Sequence, residues 1–160
     1  DRSIQYASSL EKKGIGLGDT VSILAANTPE IFEAHYSIPM TGAVINTINI
    51  RLDPQTIAYI LEHSDAKIFI VDTQFSPVIK KALELVKKEI PIIDIVDDNA
   101  QLKEDEGERL GQWTYEEFLN LGEKDYQWKR PKDEWQAISL SYTSGTTGQP
   151  KGVVYHHRGS

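Results

Sequence analysis

Thr20-Val21-Ser22-Ile23-Leu24-Ala25, followed one residue later by Asn27-Thr28-Pro29-Glu30, places a strand signal directly ahead of a helix start. The first stretch is short, apolar and rich in β-branched residues, as a buried strand requires. In the second, Thr28 suits the N-cap and Pro29 the first helical position. Glu30 sits where the helix dipole favours an anion. Ile31, Ala34, His35 and Ile38 then share one face of a helix that ends near Gly42. A strand feeding at once into a helix is the unit of an α/β fold.

The same alternation continues on both sides. Upstream, Ile4 to Lys13 reads as a helix with Ile4, Ala7 and Leu10 on one face, broken by Gly14, Gly16 and Gly18. Downstream, Ala43–Asn46 is a short strand, and Asp53-Pro54 opens a helix with Ile57, Ile60 and Leu61 inward. Lys67–Val71 is a strand. Pro77–Lys88 is a helix with Val78, Ala82, Leu85 and Val86 on its apolar face. Ile92–Val96 is a strand, and Asp97–Gly111 is an acidic surface loop. Thr114–Leu121 is a short helix opened by Thr114, with Glu117 three residues on. Ala137–Tyr142 and Gly152–Tyr155 close the series as strands. The expectation is an α/β protein with alternating helices and mostly parallel strands, without internal repeats or low-complexity segments.

Composition narrows the function. Of 160 residues, 17 are Lys or Arg and 24 are Asp or Glu, a formal charge of −7. That balance argues against broad nucleic-acid binding, which needs a positive field, but permits an anionic ligand in a local basic pocket. With no cysteine, a thiol nucleophile, a disulfide scaffold and a Cys-based zinc site are excluded. This suits a reducing compartment, and a cytoplasmic protein is expected. The four histidines lack HExxH spacing. No apolar run approaches the ~20 residues of a membrane helix.

One segment stands apart. Tyr142-Thr143-Ser144-Gly145-Thr146-Thr147-Gly148-Gln149-Pro150-Lys151-Gly152 offers four Ser/Thr hydroxyls, three glycines and a lysine in eleven residues. Glycine allows tight turns and close approach of a ligand to the backbone. Successive N–H groups in such a turn form a concavity for an anion, hydroxyls add donors, and Lys151 adds a full positive charge. The natural guest is a polyphosphate. It is not the G-x-x-x-x-G-K-[ST] loop of common ATPases and kinases: Pro150 stands where the second glycine belongs, and Gly152 where the metal-binding hydroxyl belongs.

Tyr142 to Val153 (YTSGTTGQPKGV) resembles the phosphate-binding signature of the adenylate-forming, or AMP-binding, enzymes, which include acyl-CoA synthetases, luciferases and peptide-synthetase adenylation domains. Gly14 to Val21, Asn27 to Glu30 and Gly42 to Asn46 resemble the same family's amino-terminal landmarks. Asn46–Leu52 and Tyr155–Gly159 are similar to its acyl-CoA synthetase branch for short or medium acids. The resemblance implies part of the large amino-terminal domain of an acyl-CoA synthetase-like fold. Residues 1–160 would be an incomplete AMP-binding domain, truncated at both ends, without its carboxy-terminal domain and inactive by itself.

The implied activity is that of an ATP-dependent acyl-CoA ligase using ATP, Mg²⁺ and coenzyme A on a small carboxylic acid. Thr143, Ser144, Thr146 and Thr147 would donate hydroxyls to the β- and γ-phosphates. Gly145 and Gly148 would allow backbone contacts. Lys151 would neutralise phosphate charge as the catalytic cation, and His157 would lie beside the acyl substrate. Another adenylating branch acting on an amino or aryl acid, or a non-catalytic phosphate-binding module, are the alternatives. His35 and His63 are expected to serve packing or the surface, Arg51 a cap or surface ion pair. Lys80, Lys81, Lys87 and Lys88 are expected on one solvated helix face.

Overall fold

The computed structural model describes residues 1–143 and 148–160. Among these, seven strands form one sheet: β1 (Thr20–Leu24), β2 (Val44–Thr47), β3 (Ala66–Asp72), β4 (Ile92–Ile95), β5 (Trp113–Thr114), β6 (Ala137–Thr143) and β7 (Lys151–His156). Their order is β5-β4-β3-β1-β2-β6-β7. Every neighbouring pair is parallel except β6–β7, which is antiparallel. The α/β architecture with a mostly parallel sheet is therefore observed.

Helices α1 (Arg2–Lys12), α2 (Pro29–Met40) and α5 (Tyr115–Leu119) cover one face, and α3 (Pro54–His63) and α4 (Ser76–Leu85) cover the other. Strand alternation feeds both layers. Val21 and Ile23 pack with Leu10, Ala34 and Ile38, whereas Leu24, Phe69 and Val71 pack with Ile57, Leu61 and Ile79. All five residues of β1 are consequently buried, as expected for a central strand with helices on both sides. Ser22 meets its polar requirement within the sheet, its hydroxyl accepting from Asn46 Nδ2 at 2.9 Å.

Several expected details change. In α1 the deeply buried side chains are Tyr6, Ala7 and Leu10, while Ile4 is half-buried. The reason is α5, which packs on α1 and draws Tyr6 into a stack with Tyr115, ring centroids 4.3 Å apart. Burial raises the pKa of both phenols well above normal. Arg2 adds ion pairs to Glu33 of α2 and Glu116 of α5. The end of α5 is tied to α1 by three further bonds: Ser9 Oγ donates to the Leu119 carbonyl (3.2 Å), Gln5 Nε2 to the Gly122 carbonyl (3.3 Å), and Glu123 N to Ser8 Oγ (3.0 Å).

Thr28 occupies the N-cap of α2 with extended backbone, but its hydroxyl makes no capping bond. His35, expected to serve packing or the surface, is exposed. Helix α4 stops at Leu85 rather than Lys88, because Val86 is extended and Glu62 accepts the Lys87 N–H at 2.8 Å. Lys87 and Lys88 thus lie beyond the helix, and Ile79 joins the expected Ala82 inward while Leu85 is exposed. Thr114 and Glu117 form the expected capping box. Residues 97–111 form no helix or strand, but the end of this stretch is pinned, with Leu110 N and Gly111 N donating to Asp94 and Lys80 paired with Glu108.

Candidate functional site

The glycine-rich segment joins β6 to β7, the strand pair at one end of the sheet. Tyr142 lies opposite Gly152 and Thr143 opposite Lys151, and Thr143 Oγ1 donates to the Lys151 carbonyl at 3.4 Å. Ser144, Gly145, Thr146 and Thr147 lie outside the described residues. Beside this stem opens a cavity of about 1030 Å³, lined by Thr47, Asn49, Ser141, Thr143, Gly148 and Gln149 among others. It lies beyond the carboxyl ends of β2 and β6, where open α/β sheets characteristically bind ligands.

The start of α3 reaches the same cavity through Asp53 and Thr56. Asp53 caps that helix: Thr56 N donates to it at 2.9 Å and Thr56 Oγ1 at 2.8 Å. These two bonds hold the Asp53 carboxyl below its usual pKa. The positive end of α3 is therefore matched by a carboxylate. Because the folded pKa is depressed, the cap is at full strength above the ordinary aspartate pKa. It weakens as pH falls through the lower, folded value. Asp53→Ala should cost about 1 kcal/mol at pH 7, and the deficit should shrink in acid. Denaturant titrations at pH 7 and pH 3 check this, and an equal deficit at both would contradict it.

Lys151 is exposed and begins β7. By strand alternation, its side chain and that of Thr143 project from one face, opposite to the Tyr142 ring. Gly148 lines the cavity, and a Cβ built there meets nothing within 4 Å among the described residues. His157 lies past the other end of β7, which at about 3.4 Å per residue is roughly 20 Å from Lys151. Its N–H donates to the Gln136 carbonyl at 3.1 Å, and it lines a smaller cavity of about 310 Å³ with Met40, Gly42 and Tyr126. Thr143 and Gly148 thus share the larger cavity, Lys151 pairs with Thr143 without lining it, and His157 lines the smaller one.

The structure adds His63. From the last turn of α3, its Nδ1 lies 2.8 Å from Tyr142 Oη, and its ring stacks on Tyr59 with centroids 5.2 Å apart. The Tyr59–His63 spacing already indicates neighbours on one helix face. The third member is 79 residues away, and no local pattern reports it.

A mainly parallel sheet with helices on both faces, and a hydroxyl- and glycine-rich segment joining its last two strands beside a cavity at the carboxyl edge, defines a layered α/β protein. The chain belongs to the AMP-binding enzyme family, which it matches over residues 1–160. It is 44% identical to an acetate–CoA ligase of Humulus lupulus, over 99% of this chain and 29% of that protein. It is 42% identical to a peroxisomal acetate/butyrate–CoA ligase of Arabidopsis thaliana, over 100% and 30%. A peroxisomal trans-cinnamate:CoA ligase of Petunia hybrida is also 42% identical, over 99% and 30%. The crystal structure of an anthranilate CoA ligase in complex with anthranoyl-AMP superposes with a TM-score of 0.85 at 25% identity, covering 98% of this chain and 28% of that one. The chain therefore spans about 30% of the length of the curated relatives it matches. No helix among the described residues is long and apolar enough to cross a membrane.

Proposed function

We propose that residues 1–160 are the amino-terminal part of an AMP-forming acid–thiol ligase that activates a short- or medium-chain fatty acid and passes it to coenzyme A. The observation that carries this reading is the YTSGTTGQPKGV hairpin beside a large cavity at the carboxyl edge of the sheet. The similarity to acetate– and acetate/butyrate–CoA ligases supports the choice of acid.

In the first half-reaction a carboxylate oxygen attacks the α-phosphorus of ATP. The bond to the bridging oxygen breaks, and pyrophosphate leaves with the negative charge. In the second, the thiol of coenzyme A attacks the acyl carbon, loses its proton, and AMP departs. The hairpin serves the first half. Thr143, Ser144, Thr146 and Thr147 donate to the pyrophosphate oxygens, Gly145 and Gly148 admit them to the backbone, and Lys151 meets the charge that grows on the leaving group.

Magnesium would neutralise charge on the same phosphates. The carboxylate lining this cavity among the described residues, Asp53, is engaged by Thr56, so no carboxylate cage is offered and no step is assigned to the ion. His157, past the far end of β7, is assigned to the acid rather than to the phosphates.

Pyrophosphate exchange into ATP by the full-length protein tests the reading. Exchange driven by acetate, butyrate or hexanoate is expected. Exchange driven by cinnamate or amino acids alone would favour the aryl or amino-acid branch, and none with any acid would favour a phosphate-binding module. Gly148→Ala sharpens the test. The added methyl meets no described protein atom within 4 Å, so stability should change by less than about 0.5 kcal/mol. The KM for ATP should nevertheless rise several-fold. An unchanged KM would remove Gly148 from the phosphate contact.

A further inference from the structure

We infer that His63 is a positioning residue for the phosphate-holding hairpin, acting through the phenol of Tyr142. The inference rests on the ligase reading and extends it to a helix that carries no part of the family signature. Tyr142 immediately precedes Thr143, and its cross-strand partner Gly152 immediately follows Lys151. The Tyr142 ring is therefore one residue from both groups proposed to meet the phosphates.

Besides its packing on the apolar layer of α3 and α4, two contacts fix that ring. On one side His63 Nδ1 lies 2.8 Å from the phenol oxygen, and the ring edge meets the imidazole with centroids 5.7 Å apart. Burial keeps the phenol protonated above its ordinary pKa, so it donates to Nδ1 when the imidazole proton is on Nε2. On the other side, Gly152 leaves room on β7. A Cβ there would stand 3.5 Å from Tyr142 Cε1 and 3.0 Å from Leu140 Cδ1. Helix α3, β6 and β7 are thus linked through one aromatic ring. His63 itself is held by its stack on Tyr59, one turn earlier on a helix anchored by the buried Ile57, Ile60 and Leu61.

This arrangement bears on the reaction because a shift of about 1 Å in a positioned group can cost up to 10²-fold in rate. Without the His63 bond the phenol would lose its polar tether, and the ring would be held to the α3 layer by apolar packing alone. The hydroxyls and Lys151 would then meet the polyphosphate in a wider range of geometries.

The test uses the full-length protein. His63→Ala and Tyr142→Phe should each lower kcat/KM for ATP about tenfold, as loss of one good hydrogen bond implies, with the KM for the acid unchanged. His63→Asn places a polar atom near the position of Nδ1 and should restore kcat/KM to within a few-fold of wild type. The double variant should be no worse than either single one. Amide exchange at Lys151 should quicken in His63→Ala and Tyr142→Phe and quicken no further in the double variant.

Wild-type kcat/KM in His63→Ala, additive losses in the double variant, or His63→Asn as poor as His63→Ala would each overturn the inference. Melting temperatures within a degree or two of wild type show that folding is not the cause. A wild-type protein inactive with every acid would sink the ligase reading and the catalytic part of this inference with it. Amide exchange would still decide the tether: unchanged protection in His63→Ala overturns it, and coupled loss supports it.

Discussion

Lys151→Ala in the full-length protein is expected to slow acyl-adenylate formation by about 10²–10³, the usual cost of deleting one preorganised charge-stabilising contact. The effect should fall on the half-reaction that expels pyrophosphate, where charge accumulates on the leaving group. Thioester formation from acyl-adenylate supplied ready-made should change far less, since no pyrophosphate departs in that step. The protein should remain folded. Lys151 is exposed, and its ordered contacts are those of its backbone with Thr143. Single-turnover rates for the two halves, measured separately, decide the matter. Equal slowing of both halves would point to a general structural role, and wild-type adenylation would remove Lys151 from the mechanism.

Gly122→Ala is expected to destabilise the fold by about 3 kcal/mol, the upper end of what overpacking costs. A Cβ at this position would lie 1.9 Å from the Gln5 carbonyl oxygen, 2.6 Å from Ser9 Oγ and 2.9 Å from the Gln5 carbonyl carbon. Two of these atoms are helix backbone and cannot swing aside as a side-chain end could. Helix α1 would have to move off the end of α5. The bonds from Ser9 to Leu119, from Gln5 to Gly122 and from Glu123 to Ser8 would loosen together. Gly16→Ala is the matched control, because its Cβ meets nothing within 4 Å. Denaturant unfolding of the two variants should differ clearly. Equal midpoints would mean that α1 and the turn after α5 are not packed this closely.

Neither the Gly122 contact nor the His63 tether has a local signature. Gly122 stands in a polar stretch like other turn glycines, and its constraint comes from a helix 117 residues earlier in the chain. His63 looks like an ordinary histidine at a helix end, since its partner is on a strand that reaches it only when β6 pairs with β2. The end of α4 has no local signature either. Val86 continues the helical apolar spacing, and it is Glu62 of another helix that receives the Lys87 N–H and marks where the chain turns away.

Local chemistry and periodicity by themselves determined the α/β alternation, the places of all the strands but the two-residue β5, the capping box at Thr114, and the concentration of hydroxyls, glycines and a lysine between β6 and β7. Each of these follows from the backbone preferences and polarity of a few adjacent residues. Tertiary structure alone decided the order of the strands, which face of α1 is buried, and the seating of Tyr142 against His63. These depend on contacts between residues tens of positions apart, whose geometry is set only when the sheet and both helical layers pack together.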